Sequence, residues 1–348
     1  MRSASGLIYS GGGFREGSAF FSEGRLAISQ NPDEDSDVKG IILPRTVNCH
    51  THIGDAFIQR PAKCSVEELV APPDGLKHRL LRNASEREQV PAMKDAIRGM
   101  ELEGVSHYID FRESGLEGVR RLLMASLGCG VSPVILGRPE AFDANEVSAL
   151  LSVADGLGIS AISDFDSDSL LNLSEHARSM GKIVALHASE TRREDFSRIL
   201  ELEPDLLVHM VKSSKADMEA CAAAKVPVAI CPTSNSFFGL KPPVREMLDA
   251  GIAVCIGSDN AMLSSPGILG EVRALRTMFS ERELTDSEIM DMAFEQGRKV
   301  LNSLPGLRDA YLEHKEFFVI EAPVDDPFKR ILEARAEKIH LFDRGETT

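Results

Sequence analysis

Residues 205–260 read DLLVHMVKSSKADMEACAAAKVPVAICPTSNSFFGLKPPVREMLDAGIAVCIGSDN. Three apolar, β-prone runs stand out: DLLVHM (205–210), VPVAICP (226–232) and IAVCIGS (252–258). Between them lie KADMEACAAAK (215–225) and PVREMLDAG (243–251), charged segments of helical character, the second closing on a glycine as helix C-termini often do. Antiparallel neighbours need only a tight turn, whereas parallel ones need a crossover of a dozen or more residues, usually helical. The order strand, helix, strand, helix, strand therefore predicts a parallel sheet with right-handed crossovers.

The same alternation extends upstream. Strand-like runs recur at IILPRTVNCH (41–50), VSHYIDF (105–111), VSPVILG (131–137), ISAISDF (159–165) and KIVALHA (182–188). Helical segments between them include VPAMKDAIRGMELEG (90–104), LEGVRRLLMASLG (116–128), NEVSALLSVADGLG (145–158) and SLLNLSEHARSMG (169–181). Eight such units predict an α/β protein of the closed (β/α)8, TIM-like barrel type, spanning 41–309. A GxGxxG turn after the first strand is absent, which weighs against a dinucleotide fold. GLIYS, GSAFFSE and GRLAIS near the start, and EFFVIEAP (316–323) and EKIHLFD (337–343) near the end, are also strand-like. Segments 1–40 and 310–348 are expected to pair into a small flanking β-domain. The stretch PAKCSVEELVAPPDGLKHRLL (61–81), between the first two barrel strands, reads as a lid or substrate loop.

Bulk properties narrow the function. The 348 residues carry a formal net charge of −15, which disfavours a general nucleic-acid or anionic-membrane binder. No run of about 18 apolar residues marks a transmembrane helix, and MRSASGLIYSGGG lacks the apolar core of a secretory signal. Cys49, Cys64, Cys129, Cys221, Cys231 and Cys255 form no CxxC pair and read as reduced thiols. A soluble cytoplasmic protein with neither nucleic acid nor membrane as partner is the resulting expectation.

Active sites of such barrels lie at the C-terminal ends of the strands. The first strand ends in His50-Thr51-His52, whose histidines share a face because strand side chains alternate. The fifth ends in His187-Ala188-Ser189-Glu190, the sixth in His209, the eighth in Ser258-Asp259-Asn260. Each alone has a plain reading: a hydrogen-bonded core histidine, or an Asp capping the next helix. Together they put four of nine histidines and two carboxylates at one mouth, a donor set suited to a divalent metal.

The stretches VNCHTHIGDAF, ALHASET, LLVHM and AICPTSNSFFGLKPPVREMLDAGIAVCIGSDNAM carry a family likeness. Over about 41–304 the chain resembles the amidohydrolase superfamily, in the aminohydrolase branch that includes cytosine and guanine deaminases and triazine chlorohydrolases. The resemblance implies one divalent metal ion, zinc or iron, on His50, His52, His187 and Asp259. It implies Glu190 as proton shuttle, His209 as the group that positions water or polarises the leaving group, and Asp259 as acceptor of the water's proton. ISAISDFD holds no lysine, which favours the single-metal arrangement over a dinuclear one. The implied function is a metal-dependent hydrolase deaminating a purine, pyrimidine or related aminated heterocycle. Alternatives are a cyclic-amide or halide-releasing hydrolase, or a non-catalytic ligand-binding barrel. Substrate contacts are expected among Phe57, Arg60, Arg112, Glu113, Arg138, Asp164, Asp166, Phe237 and Phe238, with Phe57, Arg112 and Arg138 favoured, and Asn235 on the seventh loop joining them. Homo-oligomers are common in this family.

Overall fold

The computed structural model of the chain describes residues 2–22, 25–140, 144–307 and 316–342. Of the expected flanking domain, 1, 23–24, 310–315 and 343–348 lie outside the described residues. Eight parallel strands follow one another round a ring: Thr46–His52, Val105–Arg112, Ser132–Gly137, Gly156–Ile159, Ile183–Ala188, Leu206–His209, Val228–Ile230 and a divided eighth, Val254–Ile256 with Asp259–Asn260. The eighth strand closes the ring by bonding on both sides. Gly257 N donates to Ile230 O of the seventh strand (2.9 Å), and Ser258 N donates to His50 O of the first (3.0 Å). Only glycine fits position 257, because a Cβ there would lie 2.6 Å from that of His50.

Two strands differ from the sequence reading. IILPRTVNCH is two strands, Val38–Pro44 and Thr46–His52, belonging to different sheets. Pro44 cannot donate to a ladder, and the chain turns at buried Arg45, whose guanidinium donates to the carbonyls of Val105 and Gly130. The fourth barrel strand is GLGI, not ISAISDF, so the preceding helix stops at Val153 rather than running to the glycines. Gly156 looks like a helix cap in sequence. In the fold it lets two strands approach: a Cβ would stand 2.2 Å from Ile183 O.

The barrel interior is packed solid. Val47, Phe111, Leu136, Ala185, Val208, Cys231 and Cys255 meet there, and the helix Gly297–Ser303 stops the N-terminal end with Val300 and Leu301. All six cysteines are free. A larger apolar layer, with Ile97, Met100, Leu122, Leu150 and Leu186, joins the barrel to its helices. The second sheet has six strands in the order 339–342, 317–321, 38–44, 2–10, 13–22 and 25–29, so both ends of the chain contribute. It meets the barrel through Tyr9, Phe294 and Phe318. No described helix is long and apolar enough to cross a membrane.

Candidate metal centre and active site

Strict alternation along the first barrel strand would put His50 and His52 on the face opposite Val47 and Cys49. Val47 and Cys49 already belong to the barrel interior. The pairing with the second strand shifts register between Asn48 and Thr51. Such a bulge turns the following side chains, so the histidines also reach the interior, above the apolar plug. Asn48 and Thr51 hold this irregular piece from outside. Asn48 Nδ2 donates to Ser258 Oγ (2.8 Å) and Pro266 O (2.7 Å), and Thr51 Oγ1 donates to Asp110 Oδ2 (2.9 Å).

Three other strand ends reach the centre through left-handed backbone. Ser189, His209 and Asp259 have φ of 47°, 74° and 62°. Non-glycine residues persist there only when their surroundings hold them, at a cost of order 1–3 kcal/mol each. These angles lie at the C-terminal ends of the fifth, sixth and eighth strands, where the chain leaves the sheet for the site.

The histidines converge. His50, His52 and His187 form one set with ligand atoms within 4.8 Å of each other; His50, His209 and Asp259 form another, sharing His50. His52 Nδ1 donates to Phe111 O (3.0 Å) and His187 Nδ1 to Ile159 O (3.0 Å). Those bonds assign both Nε2 atoms as bare lone pairs, yet the two Nε2 lie 3.2 Å apart. Two lone pairs at that distance repel unless a cation lies between them. His50 is fully buried with both ring nitrogens unpartnered, and its Nε2 is 3.4 Å from Asp259 Oδ1. Burial lowers the pKa of His50, takes His52 down to about 3 and pushes His187 well down, so the rings are neutral as metal ligands must be. Burial works against a charge on Asp259, but His50 beside it holds the carboxylate well below its usual range. The residues present therefore fit a divalent cation.

Around this centre lies a cavity of about 220 Å³ walled by His52, His187, Glu190, His209 and Asp259, among others. Glu190 is largely buried, with Oε1 3.7 Å from His209 Nε2. Burial raises its pKa, with His209 pulling the other way. The 61–81 stretch also walls the cavity, through Val66, Val70, Pro72, Lys77 and His78. Of the expected substrate contacts, Arg138 and Asp164 line it, as does Glu113. Arg112, Phe57 and Asn235 do not. Arg112 is held behind the site by Glu113 (2.6 Å) and Asp110 (3.5 Å). Phe57 packs against an apolar cluster of Ile58, Leu69, Met262 and Leu263. Asn235 is buried on the short helix Pro232–Phe237.

That helix brings in a residue the sequence reading passed over. Ser234 Oγ donates to Asp259 Oδ2 (2.5 Å), fixing the second oxygen of the candidate ligand. Lys77 was passed over too. Its Nζ is buried 2.7 Å from Glu113 Oε1 and 2.9 Å from Asn260 Oδ1, while that same Glu113 oxygen lies 2.9 Å from His52 Nδ1. Ser234 sits in the CPTSN run, which could have flagged it; a lone lysine in a helix offers no such signal.

The Amidohydrolase family model matches residues 41–303. The chain belongs to the amidohydrolase family. An uncharacterized protein of Methanocaldococcus jannaschii is 30% identical over 311 residues, covering 82% of this chain and 81% of its own. A 5-methylthioadenosine/S-adenosylhomocysteine deaminase of Natronomonas pharaonis is 26% identical over 262 residues, covering 65% of this chain and 59% of its own. Among solved structures, the aminofutalosine deaminase of Helicobacter pylori, in complex with methylthio-coformycin, superposes with a TM-score of 0.76 at 16% identity, covering 99% of each chain. At that identity the likeness speaks to the fold. As a member of the amidohydrolase family, the protein is a hydrolase acting on carbon–nitrogen bonds.

Proposed function

We propose that this amidohydrolase is a single-metal aminohydrolase that removes an exocyclic amine, as ammonia, from a purine, pyrimidine or related heterocycle. One observation carries the reading: a largely buried carboxyl, Glu190, faces the same cavity as the paired imidazoles of His52 and His187. His50, His52, His187 and Asp259 would hold the cation, zinc or iron. Such an ion acidifies water, so that hydroxide is supplied near neutral pH.

The remaining steps fall to the protein's own side chains. Glu190, whose carboxyl burial makes harder to ionise, gives its proton to a ring nitrogen as the adjacent carbon is attacked. Asp259 accepts the proton of the attacking water, its other oxygen steadied by Ser234. His209, beside both carboxylates, orients the water and the departing amine. The carbon–nitrogen bond then breaks as the amine takes the proton held by Asp259 and leaves as ammonia, and the proton of the added hydroxyl passes to Glu190 as the ring carbonyl forms. The deaminase relative from Natronomonas pharaonis supports this choice among carbon–nitrogen hydrolyses. The fourth strand ends at Ile159 with Ser160 directly after it, without a lysine to bridge two metals, which favours one metal.

Metal content and ammonia release test the reading. Purified protein is expected to hold about one zinc or iron per chain, lost in a His50→Ala/His52→Ala double variant, and to release ammonia from an aminated heterocycle. Two metals per chain, or none after reconstitution, would rule out the single-metal mechanism.

A further inference from the structure

Lys77, Arg138 and Arg192 bring positive charge to the cavity wall. Lys77 is engaged by Glu113 and Asn260, and Arg192 is exposed at the rim. Arg138 differs from both. It stands directly after the third barrel strand, its backbone N–H donating to Arg112 O (2.8 Å) and its carbonyl accepting from Gly115 N (3.2 Å). Its side chain has no hydrogen bond or ion pair among the described residues, and its Nε is buried without a partner. Glu113 and Asp164 are near enough to act on its charge, but neither pairs with it.

Ser160 follows the fourth strand, which is hydrogen-bonded to the third. It lines the same cavity, and its Oγ is also buried without a partner. Leaving a buried donor unsatisfied is costly, and more so for a charged group. Two such donors on adjacent strand ends, facing one cavity, are a built receptor for an acceptor that arrives from outside.

We propose that Arg138 and Ser160 form an anion subsite, and that the substrate is an aminated heterocycle bearing a carboxylate. A guanidinium fork matches a planar carboxylate, with the serine hydroxyl donating to one oxygen. A phosphate fits less well. Glu113 and Asp164, the carboxylates that act on Arg138, already offset part of its charge, so a single negative charge is favoured over two. The subsite at strands three and four lies beside the fifth strand, which delivers Glu190. The ring of the bound molecule would then reach from the subsite to the metal centre. The substrate class deepens the deaminase reading and rests on it; the subsite itself rests on the two orphaned donors.

The test uses aminopyrimidine and aminopurine carboxylates, each beside its neutral carboxamide. Binding is measured by calorimetry and thermal shift on metal-loaded and metal-stripped protein, and ammonia release on the loaded protein. At least one carboxylate should bind about 10- to 100-fold more tightly than its carboxamide, the range expected of hydrogen bonds to a charged group. The preference should collapse in Arg138→Met, be reduced in Ser160→Ala and be partly kept in Arg138→Lys. An acid preference that survives Arg138→Met but vanishes with the metal would place the carboxylate on the ion and overturn the subsite. So would no binding of any carboxylate at millimolar concentration, or equal binding of acid and amide. Arg138-dependent binding without ammonia release from any probe would overturn the deaminase reading while the subsite stands.

Discussion

At the level of single residues, the site depends on side chains whose charge states are set by their surroundings. Glu190 is the clearest case. Its carboxyl is withdrawn from water and its pKa raised, which suits a group that must carry a proton near neutral pH. Glutamine has nearly the same shape but cannot transfer a proton. Glu190→Gln should lower kcat by roughly 10²–10⁴-fold while metal content, read by elemental analysis, stays at the wild-type level. Full activity in that variant would remove Glu190 from the mechanism. The residue scale is also where sequence was most legible. HxH, HASE, a histidine at a strand end and SDN each fell where a barrel needs its chemistry. Lys77 was not legible, because it matters through contacts with Glu113 and Asn260, far away in sequence, and Ser160 was not, because only the closed barrel leaves its hydroxyl buried without a partner.

At the level of elements, placement depends on irregularities. A register shift turns His50 and His52 inward, and left-handed backbone at Ser189, His209 and Asp259 turns three strand ends toward one point. The short fourth strand shows the same dependence. Its glycine at 156 admits the fifth strand so closely that any side chain would displace Ile183, four residues before His187. Gly156→Ala should destabilise the protein by about 1–3 kcal/mol, as overpacking does, and weaken metal retention, because the fifth strand carries a candidate ligand. Gly270 is a fitting control. A Cβ on this helical glycine meets nothing within 4 Å, so Gly270→Ala should be neutral or stabilising by up to about 1 kcal/mol. Melting temperatures and bound metal for the two variants check the contrast; equal effects would mean that the close approach at 156 does not matter.

For the whole molecule, burial of charge links stability to pH. Glu271, on the helix Ile268–Met278, accepts from Thr233 N (2.8 Å) and so ties that helix to the short helix Pro232–Phe237 after the seventh strand. Burial raises its pKa from the usual 4.5 to about 8, the Thr233 hydrogen bond opposing. Below about pH 4.5 it is protonated in both folded and unfolded chains and contributes no pH dependence. From there to about pH 8 the unfolded chain ionises while the folded chain stays neutral, so stability falls as pH rises. The loss should reach a few kcal/mol by the top of that window. Glu271→Gln keeps an acceptor for Thr233 and cannot ionise. Its melting temperature should exceed that of the wild type at pH 8, with the gap closing toward pH 5. Parallel melting curves across that range would show that Glu271 does not titrate in this way.

Sequence by itself determined the alternation of strands and helices, and hence the barrel, because a closed parallel sheet leaves a periodic trace of apolar runs and charged crossovers. It also determined which strand ends hold the histidines and carboxylates. It could not divide IILPRTVNCH between two sheets, since an apolar run looks the same whichever neighbour it pairs with. Nor could it separate Arg112 from Arg138: both follow strands and both are arginines. Only the tertiary structure decided that Asp110 and Glu113 occupy the first and leave the second facing the cavity. The reason is physical: a side chain's role is set by which partners reach it, and partners from other strands meet only once the barrel has closed.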